Sequence, residues 1–165
     1  MADLTTLESK LAEVTGLAMA AQDLTKKVER LVKQEGQQDL AAVLKRMREE
    51  AAETQRRCTD VAGGLDGKKT AILEKARETK QEATEMAGTY LGDDADALDG
   101  FEFMTMAEAG EVGHWAIVDE LAKKGKQRQI SELARWARPI QKRHFDDTMR
   151  GSLELARTQD PNAEE

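Results

Sequence analysis

The amino-acid sequence predicts an all-α protein, an antiparallel helical bundle, on three observations. The composition is dominated by Ala, Leu, Glu, Lys, Arg and Gln, which lose least on entering a helix, and contains only 2 prolines and 4% aromatic residues. Apolar residues recur every third or fourth position through five long stretches. Short glycine-bearing turns separate most of these stretches, which sets consecutive helices beside one another as antiparallel neighbours. At 165 residues the chain suits one domain with a sizeable core, expected over residues 1–158, with 159–165 as a flexible tail.

The first helix follows from Leu4, Leu7, Leu11, Val14, Ala18, Ala21, Leu24, Val28 and Leu31, and ends at "KQEGQQD", where Asp39 is a candidate cap for the next. The second carries Leu40, Leu44, Met47, Ala51, Thr54, Cys58 and Val61 and stops at "GGLDG". The third is expected from about Leu65 through Ile72, Ala76, Ala83 and Met86 to Tyr90. A fourth should start within or just after Asp93 to Asp99, whose carboxylates suit the positive end of a helix dipole. Its inward stripe reads Ala107, Glu111, His114, Val118 and Leu121, and Gly125 is placed to stop it. The fifth carries Ile130, Leu133, Ala137, Ile140, His144 and Thr148, with a kink or restart expected at Pro139, which lacks an N–H and crowds the carbonyl of Arg135.

Composition narrows the function classes. A net charge of −7 with acids and bases interleaved leaves no basic patch for nucleic acid or anionic lipid. Cys58 is alone, no apolar run has the length of a membrane span, and residues 1–10 have no signal-peptide core, so a soluble cytoplasmic protein is expected. The acidic "DDADALDG" resembles a calcium loop only in charge, because alanines stand at the first ligand positions. Cys58 lies on the inward stripe of the second helix and suits core packing. No phosphate loop, Ser-His-Asp set or C-x-x-C pair occurs, so chemistry independent of a metal has no visible residues.

Both histidines follow a potential ligand by three residues. Glu111 with His114, and Gln141 with His144, each share a helix face. Oxygen and imidazole donors from facing helices suit iron or manganese, the arrangement of di-iron carboxylate bundles. The stretch "AEAGEVGHWAIVDELAKKGKQRQISELARWARPIQKRHFDDTM" resembles the rubrerythrin-type pattern of the ferritin-like superfamily, and the wider layout resembles bacterial stress-associated ferritin-like proteins, chiefly over residues 102–155.

That resemblance implies a four-helix core plus an extra helix, a dimer, a stress-related role, and bound Fe, Mn or Zn supporting oxidase or peroxide-consuming activity. The sequence departs from the family's pattern at Gln141, where a bridging Glu is wanted, and the first three helices offer only Glu50 and Glu82 near the edges of their stripes. A reduced site would use Glu111, His114 and His144, with Glu108, Gln141 or Asp147 nearby, since three protein ligands and water hold one ion. Two alternatives stand beside it. In one, each histidine is a core-edge residue, His114 bonded to Glu111 and His144 to Gln141. In the other, the bundle is a metal-free scaffolding module that meets a protein partner through its surface.

Overall fold

The computed structural model describes residues 3–164; Met1, Ala2 and Glu165, at the edges of the expected domain and tail, lie outside the described residues. The described chain is all-helical: α1 (Thr6–Gln34), α2 (Gln38–Gly63), α3 (Lys69–Tyr90), α4 (Ala97–Lys124) and α5 (Arg128–Ala156). No helix is long and apolar enough to cross a membrane among the described residues.

Two helix starts are fixed by reciprocal capping boxes. The Thr5 hydroxyl accepts from the N–H of Glu8 while the Glu8 carboxylate accepts from the N–H of Thr5, and Asp96 and Asp99 do the same for α4. Asp39 is not a cap: α2 begins behind Gln37, which makes no side-chain cap bond, and Asp39 sits in the first turn. Residues 65–68 form turns, so α3 starts at Lys69 rather than Leu65. α5 runs unbroken through Pro139, whose side is exposed.

Three-residue turns join α1 to α2 and α4 to α5, closed the same way. The N–H groups of Gln37 and Gln127 reach back to the carbonyls of Val32 and Ala122, at 2.8 and 2.9 Å. The first turn puts Gly36 in the left-handed region (φ 74°); the second puts Lys126 there (φ 54°), one residue after the expected stop at Gly125.

Packing links α1 to α2, α2 to α5, α5 to α4 and α4 to α1, with α3 laid mainly on α1. Buried positions alternate at three and four residues: Leu11, Val14, Ala18, Ala21, Thr25, Val28 and Val32 on α1, and Phe101, Met104, Glu108, Glu111, Trp115, Val118 and Ala122 on α4. This spacing is that of helices meeting at shallow angles in a bundle. On α4 the expected stripe holds at Glu111 and Val118 but moves one residue on at Glu108, Trp115 and Ala122. Trp115 is fully buried and His114 is half-exposed, because burying the large indole removes more apolar area from water than burying an imidazole. On α5 Gln141 takes the buried place expected for Ile140.

The apolar core is divided. One cluster gathers Leu11, Val14, Cys58, Ile72, Trp115, Val118 and Ile130; the other gathers Val28, Val32, Leu44, Met47, Phe101, Met104 and Leu155. Between them in chain register lie Ala18 and Ala21 of α1, Ala51 and Thr54 of α2, Glu108 and Glu111 of α4, and Gln141 and His144 of α5, all buried. The bundle therefore carries a polar layer across its middle.

Close approach at three places depends on glycine. A Cβ on Gly16 would overlap the Ala76 carbonyl oxygen of α3, one on Gly100 would press Val28, and one on Gly151 would enter the ring of Phe101. Beyond Ala76 no residue of α3 is buried, and the C-terminal half of that helix meets the bundle through scattered contacts, Lys80 with Asp23 at 2.8 Å and the ring of Tyr90 with that of Phe103 at 5.3 Å.

Candidate functional site

The polar layer is built from α2, α4 and α5. His144 Nε2 lies 2.6 Å from Glu50 Oε2, and its Nδ1 lies 3.7 Å from Glu108 Oε2. Glu108 in turn accepts a hydrogen bond from the Gln141 amide. Outward from Glu50, the Arg143 guanidinium donates to Oε1 at 2.7 Å, and Arg46 bridges toward Asp147. This chain of contacts runs from the α2–α5 surface into the bundle's centre.

The protonation states follow from burial. Burial holds the imidazolium of His144 below its ordinary pKa despite the pull of Glu50, so the neutral ring is favoured. Burial pushes Glu50 up, but hydrogen bonds from His144 and Arg143 outweigh it and leave that carboxyl below its usual range. Neutral His144 therefore donates Nε2–H to ionised Glu50 and turns a bare Nδ1 toward Glu108. Burial and the neighbouring Glu111 push Glu108 well up, against the Gln141 amide, and burial alone carries Glu111 to about 8. Both α4 carboxyls favour the neutral acid. Burial likewise lifts Cys58 to about 12, which fits a packing residue rather than a nucleophile.

The expected ligand residues are placed as follows. Glu108, Gln141 and His144 come together, and Glu111 lies beside Glu108 on the same buried face. His114 goes elsewhere: its Nδ1 meets the carbonyl oxygen of Gly110 at 2.9 Å and its Nε2 faces Glu13 of α1 at 3.7 Å. Asp147 pairs with Arg46 and Arg150. Neither histidine has the partner expected of a core-edge residue, since His114 does not bond Glu111 and Gln141 serves Glu108. Glu50, visible in sequence only as an edge residue, proves to hold His144.

The kinds of donor suit Fe, Mn or Zn, but their arrangement does not. Among the described residues no group of three or more His, Cys, Asp or Glu side chains is placed to hold a metal ion. Gln141 occupies a Glu108 oxygen, Glu50 of α2 occupies one His144 nitrogen, and the other layer residues of α1 and α2 are Ala18, Ala21, Ala51 and Thr54.

The polar layer opens on one side. Where α3 has no buried residue, α1, α3 and α4 enclose a cleft of about 600 Å³. Small residues create the space: Ala20 and Ala21 of α1, Ala83, Ala87 and Gly88 of α3, and Ala107 and Gly110 of α4 line it. Leu17, Leu24 and Phe103 add apolar wall, and the half-exposed Met86 and Met106 stand at the rim. Five carboxyl side chains, Glu13, Asp23, Glu82, Glu108 and Glu111, face two lysines, Lys27 and Lys75, so the lining carries an excess of acid. Spacing could not have found this cleft, because its residues come from three helices and none is unusual on its own.

No protein-family model, curated protein or solved structure matches the chain.

Proposed function

We propose that this chain is a ferritin-like bundle whose metal address is closed by side-chain hydrogen bonds, and that it works as a binding module taking a small apolar ligand between α1, α3 and α4. The observation that carries this reading is the cleft itself, mostly apolar and of a size usual for small-molecule sites, with a few polar groups converging at its floor.

The ferritin-like part rests on connection and direction. Cross-helix partners run in opposite chain order for every adjacent pair of the four: Gln22 with Gln55 and Glu29 with Arg48 for α1 and α2, Arg46 with Asp147 and Glu50 with Arg143 for α2 and α5. Glu35 with Ala97 and Glu13 with His114 do so for α1 and α4, and Thr105 with Ser152 and Glu108 with Gln141 for α4 and α5. Two hairpins side by side, joined by the length of α3, support an antiparallel four-helix core with one extra helix. In that frame Glu108, Glu111, Gln141 and His144 are the α4–α5 half of a metal address, and Ala18, Ala21, Ala51 and Thr54 stand where the other half would be.

Elemental analysis after purification without chelator tests the closed address. The expected result is trace metal, a melting temperature unmoved by EDTA, and uptake of an apolar fluorescent dye that Gly110→Phe blocks. Gly110 lines the cleft and a Cβ there meets nothing within 4 Å, so the helix accepts a side chain at that position. Near-stoichiometric iron, manganese or zinc that disappears in His144→Ala would overturn the proposal in favour of a reduced metal site.

A further inference from the structure

The floor of the cleft narrows the ligand class, given that the cleft is the binding site proposed above. Glu111 is only 6% exposed and lines the cavity, yet among the described residues it makes no hydrogen bond or ion pair, and the carboxyl of Glu108 lies beside it on the same buried face. Its neighbour Glu108 has the Gln141 amide and a histidine nitrogen nearby, but no lysine or arginine. Buried carboxyls are ordinarily paired, and an unpartnered one costs stability. Here two lie side by side beneath an apolar wall and in an acid-rich lining, which is complementary to a molecule that brings one positive charge on a hydrocarbon or aromatic body. The rim methionines suit a flexible apolar body, since the thioether chain adapts to irregular shapes.

We infer that the cleft binds a small apolar amine, its ammonium group held by Glu111 with Glu108 beside it and its apolar body lying against Leu17, Leu24, Met86 and Met106. The proton that burial otherwise keeps on Glu111 leaves to solvent as the ammonium takes its place. An ammonium donating to the resulting carboxylate makes the charge-assisted hydrogen bonds that discriminate most strongly against an uncharged analogue, and the single charge fixes the direction in which the ligand enters.

The test is calorimetric titration of the full chain with decylamine, decanol and decanoate, each below its aggregation concentration, repeated with Glu111→Gln and Gly110→Phe. Decylamine should bind at least about tenfold more tightly than decanol, and decanoate most weakly. Glu111→Gln, with circular dichroism matching the parent chain, should remove the advantage of the amine and leave decanol unchanged. Gly110→Phe should block all three. Equal affinity for decylamine and decanol, or an amine preference that survives Glu111→Gln, would overturn amine recognition and leave the apolar cleft standing. Failure of all three probes to bind would overturn the binding-module proposal and this one with it.

Discussion

Glu111 shows how far one side chain can depart from its usual chemistry when its helix turns it inward. Its pKa of about 8 lies above the ordinary 4.5, so between those values the folded chain holds a proton that the unfolded chain has released. The contribution to stability is fully present below about pH 4.5 and is lost as pH rises toward 8. Glu111→Gln keeps the shape and cannot ionise. It should melt near the parent chain at pH 5 and several degrees above it at pH 8, a gap on the order of a few kcal/mol. Parallel melting curves across that range would show that the carboxyl is not buried as described. Glu50 and His144 make the opposite case, a hydrogen bond from a buried neutral imidazole to a partly buried carboxylate, reaching across α2 and α5. Glu50→Ala would leave the buried imidazole without its acceptor and should cost about 1–3 kcal/mol in chemical denaturation; a loss under 0.5 kcal/mol would show that water replaces the contact. Glu50 was visible in sequence only as an acid near the edge of a stripe, because its partner comes from a helix more than ninety positions away and no local spacing encodes that pairing.

At the scale of elements, the matching turns after α1 and α4 differ in one respect, and the difference is testable. Gly36 fills the left-handed position of the first at no steric cost, whereas Lys126 fills that of the second with a Cβ pressed toward the backbone. Lys126→Gly should therefore stabilise the protein by about 0.5–1 kcal/mol, net of the extra freedom that glycine gives the unfolded chain. Destabilisation in a urea melt would mean that the lysine side chain contributes more than its backbone strain costs. Gly16 is the converse: a side chain there must displace the Ala76 backbone of α3. Gly16→Val should cost about 2 kcal/mol or more through that displacement, read as a fall in melting temperature with loss of protection in α3 before α1 and α2. Most helices were legible from apolar periodicity and turn glycines, and the start of α4 from its run of acids. The part of the α4 face at Glu108, Trp115 and Ala122 was not, because a carboxyl, that of Glu108, occupies one turn of it. A periodicity that looks for apolar residues slides toward Ala107 and Leu121, and the full indole of Trp115 decides otherwise.

At the scale of the whole molecule, the organisation is two apolar clusters separated by a polar layer that opens into a cleft under the lightly buried half of α3. The half of α3 beyond Ala76 has little apolar burial to hold it, so its amides should exchange with solvent faster than those of α1, and a ligand in the cleft should slow them. Equal protection along α3 in hydrogen-exchange mass spectrometry would contradict the weak packing of that half. Met86 and Tyr90, both more than half exposed, are on this segment, where a ligand lying against α1 and α4 would find them.

The sequence by itself determined the class and count of the elements: helix-forming composition, three-to-four spacing and glycine at the turns are local, and local energetics read along the chain. It also brought Glu111, Gln141 and His144 to notice, since an i, i+3 pair is a property of one helix, with Glu108 as a candidate beside them. Only the tertiary structure decided that His144 answers to Glu50, that His114 turns away to α1, and that an acidic, apolar-walled cleft exists at all. Each of these depends on how a helix is rotated and what stands opposite it. That is set by the burial of Trp115 and the close contact at Gly16, interactions between segments distant in sequence.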